Sequence, residues 1–204
     1  MNQPQTLPVN HHADHPGFSG LTGLAAGALM FAAGRRRARR VITAAAVSES
    51  DRVVDIGCGS GAAVRAAARR GARVTGVDPS PVMLRLARLL VRGRSIHWAE
   101  GAAERLPLPD EAATVALAVA TVHHWPDVTA ALAEVARVLV PHGRFVAVER
   151  WSPVGATGVA AHGWTEEQAR SFAELCRTAG FAEPRIERNT LGRNDFWIVY
   201  TSRG

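Results

Sequence analysis

Three groups of residues in this 204-residue chain could do chemistry. The first is a pair of carboxylates around a glycine-rich stretch. Asp55 stands just before Gly57-Cys58-Gly59-Ser60-Gly61, and Asp78 ends the next apolar run. A glycine turn after a strand lets the backbone bend tightly and approach a bound ligand. Asp78 then sits where one acidic group could accept both hydroxyls of a ribose diol. Asp55 would repel a pyrophosphate and suits the cationic end of a ligand, such as an amino group. The second group is His123 and His124, followed by Trp125, with His162 further on. Imidazole is the side chain that carries a proton near neutral pH. Either one of the paired histidines faces an acceptor or the His-His-Trp run braces a loop. The third is Glu149, a strand-end carboxylate that either points to the same rim or pairs with an arginine. The adjacent histidines lack a spaced cysteine or carboxylate partner, so no metal site is expected.

These residues must be positioned by alternating strands and helices. Arg52–Ile56, Arg73–Val77, Ser95–Trp98, Thr114–Ala120 and Arg144–Glu149 read as five short apolar strands. Helices are expected over Ala62–Arg70, from Ser80-Pro81 to about Arg92, and from an Asp127 cap to a stop at Pro141. Thr165 and Gln168 form a capping box for a last helix with Ala169, Phe172 and Cys176 on its apolar face. Arg185–Thr190 and Phe196–Thr201, joined through Gly192–Asp195, read as a hairpin. The expected fold is α/β: a doubly wound, Rossmann-like, mostly parallel seven-stranded sheet with an antiparallel C-terminal hairpin. Residues 1–44 are expected to form an N-terminal arm and helical lid, and 45–204 a single domain. The apolar stretch 17–34 lacks preceding positive charge, so it does not read as a signal peptide. It is also too glycine-rich for a transmembrane segment. A lid with Phe18, Leu21, Leu24, Leu29, Met30 and Phe31 would suit a lipophilic or aromatic acceptor, the alternative being a helix packed away from the site.

Gly57, Gly59 and Ala62 also satisfy a dinucleotide fingerprint, and Asp78 would serve its ribose equally well. Gly61 and Asp55 turn the pattern into D-x-G-x-G-x-G. Further motifs follow: Gly76-Val77-Asp78-Pro79-Ser80, Gly101–Asp110, Thr121–Trp125, and Glu134 with Arg137-Val138-Leu139 before Pro141-His142-Gly143. On these motifs the chain resembles the class I S-adenosylmethionine-dependent methyltransferases, of the type related to quinone-biosynthesis C-methyltransferases. The resemblance implies an enzyme using S-adenosyl-L-methionine to methylate a small, lipophilic or aromatic acceptor by in-line displacement. It implies that Asp55, Gly57, Cys58 and Gly59 hold the methionine end, and that Asp78 holds the ribose. Pro79 and Met83 would lie near ribose and adenine, Ala103 with neighbouring Glu104 at the ring, and Ala120 with Thr121 beside the sulfonium. His124, His123 and His162 are the candidate catalytic residues. The family commonly has Asp at Ala102, Phe-Asp at Ala113-Thr114, and glycine at His142, where positive φ would carry strain. A non-catalytic cofactor-binding protein is the alternative, and a nucleic-acid methyltransferase a more distant one.

The formal charge is +6, and all 24 basic residues are arginine. The absence of lysine excludes Schiff-base chemistry and, with the alanine-rich composition, points to a high-GC bacterial genome. Arg35–Arg40 is a true cluster, while Arg65, Arg69, Arg85, Arg88 and Arg92 read as solvated helix faces. Without interleaved aromatics this pattern predicts no nucleic-acid partner. The two cysteines cannot build a disulfide framework, so a cytoplasmic location is expected.

Overall fold

The computed structural model describes residues 31, 34–157, 162–191 and 194–204. Most of the arm and apolar stretch, including His11, His12 and His15, therefore lies outside the described residues. Of the expected lid, Phe31 is buried, and residues 34–44 form a helix, α1. The strands are β1 (Arg52–Ile56), β2 (Arg73–Asp78), β3 (Ile96–Glu100), β4 (Ala113–Val119), β5 (Leu139–Arg150), β6 (Arg185–Leu191) and β7 (Asn194–Ser202). The remaining helices are α2 (Ala62–Ala68), α3 (Pro81–Leu90), α4 (Val128–Val138) and α5 (Glu166–Thr178).

One seven-stranded sheet runs in the order β3-β2-β1-β4-β5-β7-β6. β1 to β5 pair in parallel, and β7 is antiparallel to both β5 and β6. Parallel strands need helical crossovers, so both faces are covered and alternate residues enter opposite cores. Val53, Val115, Val146 and Val148 pack with Ile42, Val64 and Leu84 on one face. Val54, Ala116, Phe145 and Ala147 pack with Leu132, Val135, Phe172 and Cys176 on the other. Strand order reverses between β1 and its neighbours β2 and β4, the switch point at which such sheets bind ligands.

Local signals position the elements. The Ser80 hydroxyl accepts from the Met83 N–H, and Pro81 opens α3 without losing a needed donor. Asp127 caps α4 through the Ala130 N–H, and the Thr165–Gln168 capping box is fully formed. At the lower edge, Asp51 joins three strands: its carboxylate accepts from Thr114 at 2.7 Å and Arg144 at 2.6 Å. Arg144 also donates to the carbonyls of Ala45 and Ala46, fastening the end of α1 to β5. Thus Thr114, a departure from the family pattern, contributes a part-buried hydrogen bond in place of that pattern's acid.

The start of β5 departs from the expected pattern in two respects. α4 ends at Val138, and the chain enters β5 at once, because Leu139 already pairs with Ala113 ahead of a register shift. His142 adopts φ +62°, so the turn does demand the left-handed conformation that its side chain disfavours. The C-terminus closes this edge: the Arg203 N–H donates to Gly143 and its guanidinium to Leu139.

Candidate active site

The candidate site residues lie mostly at the carboxyl ends of β2, β1, β4 and β5. After β1 the chain turns through Gly57 at φ +66° and Gly59 at φ +51°. These two glycines answer different demands. A β-carbon on Gly57 would overlap the Thr121 hydroxyl, whereas one on Gly59 would meet nothing within 4 Å. Gly57 permits close packing of the loop after β4, and Gly59 keeps backbone open toward a ligand. Cys58 contributes its backbone to this turn, its N–H donating to Val77, while its side chain joins the core below.

Asp78 is buried, and its two oxygens accept from the Gly59 N–H at 2.8 Å and the Ser80 N–H at 2.9 Å. Each oxygen retains a further acceptor position, which is what a diol requires. Burial nevertheless holds the Asp78 pKa above its ordinary value, outweighing both backbone donors. Asp55 is buried as well. Burial and then the charge of Asp78 push its pKa up to about 7, against the Val64 N–H. Two neighbouring desolvated carboxylates make a site that a cation stabilises. That chemistry fits the ammonium and ribose groups of S-adenosylmethionine, with Asp55 and the glycine backbone at one end and Asp78 at the other.

The side walls come from the loops after β2, β3 and β4. Pro79 is exposed, whereas Met83 is buried in the first turn of α3. Ala103 is buried in the turn after β3, and Glu104 beside it accepts from the Asp127 N–H at 3.4 Å. That loop is fastened from α4. Glu134 accepts from the Leu106 N–H, and Arg137 donates to the Leu106 and Leu108 carbonyls and to Asp110. The Glu134 and Arg137 motif therefore supports the loop from behind. Ala120 follows β4 at φ +55°, a strained value for a non-glycine residue.

The histidines converge on a buried acid. His123 Nδ1 lies 2.9 Å from Glu149 Oε2, and the His123 backbone N–H donates to Oε1 at 3.3 Å. Glu149 is fully buried, and His123 is 15% exposed at its side chain. Burial alone would lower the His123 pKa, but the charge and hydrogen bond of Glu149 reverse this and raise it. The carboxylate holds the proton on Nδ1 and leaves Nε2 as the proton acceptor. The His124 and His162 rings lie 4.0 Å and 5.9 Å from that of His123. His162 is placed by backbone: Trp164 donates to the Arg150 carbonyl, and a β-carbon on Gly163 would overlap that same carbonyl. A dyad of His123 and Glu149 was not evident from the residues alone. The pairing follows from register: Val119 of β4 lies opposite Val148 of β5, placing both residues just past the same rung.

A parallel sheet with this strand order, a glycine turn at its switch point and an acid on the next strand define a nucleotide-type cofactor fold. Residues 54–147 match the family described as Methyltransferase domain, and the relatives and structural neighbours of the chain include S-adenosylmethionine-dependent methyltransferases. It is 39% identical over 104 residues to a demethylmenaquinone methyltransferase of Tropheryma whipplei, covering 50% of this chain and 43% of that protein. It is 37% identical over 118 residues to the ubiquinone/menaquinone biosynthesis C-methyltransferase UbiE of Rubrivivax gelatinosus, covering 56% and 45%. The matches thus span less than half of those relatives. A SAM-dependent methyltransferase structure from Aquifex aeolicus shares the fold, with TM-score 0.74 and 15% identity over 89% of this chain and 98% of that one.

Proposed function

We propose that this chain transfers a methyl group from S-adenosyl-L-methionine to a small lipophilic or aromatic acceptor whose nucleophilic atom must lose a proton. S-adenosyl-L-methionine supplies an electrophilic methyl group on a sulfonium. The rest falls to the protein, which must align the acceptor for in-line attack, exclude water and accept a proton. Asp55, Asp78 and the backbone around Gly59 hold the donor in this reading, and His123 takes the acceptor proton. Glu149 fixes its tautomer and stabilises the imidazolium that forms. The observation that carries the base assignment is the His123–Glu149 pair beside the Thr121 and Gly57 contact. The quinone-biosynthesis names of the relatives support an aromatic, lipophilic acceptor.

The test is turnover of a panel of phenols and quinols, read against pH for wild type and Glu149→Gln. The base must be neutral to act, so the acidic limb of kcat lies above the ordinary histidine value. Glu149→Gln removes what raises it, leaving burial to lower it, and the limb moves to lower pH. His123→Ala lowers kcat by about a hundredfold or more while cofactor affinity is kept. Cofactor binding without turnover on any acceptor would overturn the catalytic reading, and an unmoved limb would overturn the base assignment.

A further inference from the structure

The two arginine runs that look independent in sequence meet in space. α1 and α2 lie side by side, with Gly34 approaching Ala62. Between them is an open groove of about 410 Å³ lined by Arg35, Arg39, Arg65, Arg69 and Arg70. Arg65 and Arg69 also line a second groove of about 340 Å³, together with Arg92 and Leu90 at the end of α3. Among the described residues no carboxylate lines either groove, and none of these arginines is ion-paired. Partial burial and the charges of Arg69, Arg35 and Arg39 all push the Arg65 pKa down, as expected where like charges crowd. The solvated helix faces of the sequence reading are thus one basic face.

One exposed apolar side chain, Leu90, lines it, and a second, Leu89, neighbours it at the end of α3. α3 buries Met83, Leu84, Leu86 and Ala87, yet Leu89 is 67% and Leu90 37% exposed at its end. Neither serves the core to the same degree, and Leu90 shares its groove with three arginines.

We infer that this face of α1, α2 and the end of α3 docks on an anionic lipid bilayer, its guanidiniums on headgroup phosphates and its leucines below them. Guanidiniums pair bidentately with phosphate, and exposed leucines gain free energy from entering the acyl boundary. A nucleic acid would need exposed rings on which bases stack. The ring in contact here, Phe31, is itself buried under Arg65. The spread of charge over two joined grooves favours a surface over a single free phosphate. The face runs from the turn after β1 down to the start of β3, so its leucines enter the bilayer at the end of the sheet opposite the cofactor cleft. The docking stands on different residues from the acceptor assignment and needs no turnover to be measured.

The experiment is co-sedimentation of the full chain with vesicles of phosphatidylcholine alone or mixed with phosphatidylglycerol, from about 0.05 to about 0.5 M salt. The chain is expected to pellet with the mixed vesicles at low salt and to remain in solution with the neutral ones. Arg39→Glu/Arg69→Glu lowers partitioning about tenfold or more, Arg39→Gln/Arg69→Gln by less, and Leu89→Ser by a few-fold. Both arginine variants retain wild-type cofactor binding by calorimetry, which reports an intact fold. Failure to bind mixed vesicles, wild-type partitioning of both arginine variants, or preferential binding of duplex DNA or single-stranded RNA at the same salt would overturn the inference. Inorganic phosphate at millimolar concentration leaves vesicle binding in place; displacement by it would assign the face to free phosphate and equally overturn it.

Discussion

Asp55 makes cofactor binding depend on pH in a way that can be worked out beforehand. Its pKa in the ligand-free protein is about 7, from burial and the adjacent Asp78. An ammonium group beside it favours the carboxylate and pulls the bound-state value down. Only the ionised fraction then binds well, and this falls from about one half at pH 7 to about 3% at pH 5.5. Affinity for S-adenosyl-L-methionine should therefore fall by about an order of magnitude over that interval. The ligand's own amine stays cationic throughout the interval, so it adds little to the slope. Isothermal titration in two buffers of different ionisation enthalpy should also record release of about half a proton per site at pH 7. Asp55→Asn should bind weakly and show no such slope. The same residue affects folding with the opposite sign. A raised carboxylate pKa gives stability that is present below the unfolded value and lost as pH rises through about 7. Ligand-free Asp55→Asn should accordingly melt higher than wild type at pH 8, by as much as about 4 kcal/mol of stability. A flat affinity from pH 7 to 5.5, or an Asp55→Asn variant that keeps the slope, would refute this account of the site.

Two further outcomes concern backbone conformation. Gly59→Ala adds a β-carbon to open space at φ +51°, so stability should drop by about 1 kcal/mol while cofactor affinity falls at least about tenfold. Gly57→Ala meets the Thr121 hydroxyl and should cost about 3 kcal/mol or more of stability; thermal unfolding beside calorimetry separates the two. His142→Gly removes a left-handed histidine far from the cleft. It should raise stability by about 1 kcal/mol and the melting temperature by about 2–4 °C, with cofactor affinity unchanged.

Much of the fold was legible because local rules and tertiary demands agree. β1 is buried from Val53 to Ile56 and reads as a continuous apolar run, and Ser80, Asp127 and Thr165 cap the helices they precede. Asp78 and the glycine turn were legible for a similar reason: their spacing is that of adjacent strands. The His123–Glu149 pair was harder to read, since it depends on β4 and β5 being neighbours and on their register. The start of β5 was hidden because Pro141 signals a helix stop, whereas pairing of Leu139 with Ala113 holds that segment extended. The joining of the arginines into one face was not legible because helical spacing describes one helix at a time. Only the packing of α1 against α2 brings Arg35 and Arg39 to Arg65 and Arg69.

The placement of β7 bears on how the chain reaches this structure. β5 holds Glu149 and lies between β4 and β7, yet β7 is synthesised last of the seven strands. Until it emerges, the Phe145–Arg150 segment of β5 is an open sheet edge with Phe145, Val146 and Val148 along it. Such edges invite pairing with other chains, and closing one across a long stretch of sequence is slow. The strand that carries the buried acid of the site therefore stands open to misassembly in the nascent protein. Its protection comes from residues that leave the ribosome after the rest of the cleft has been made.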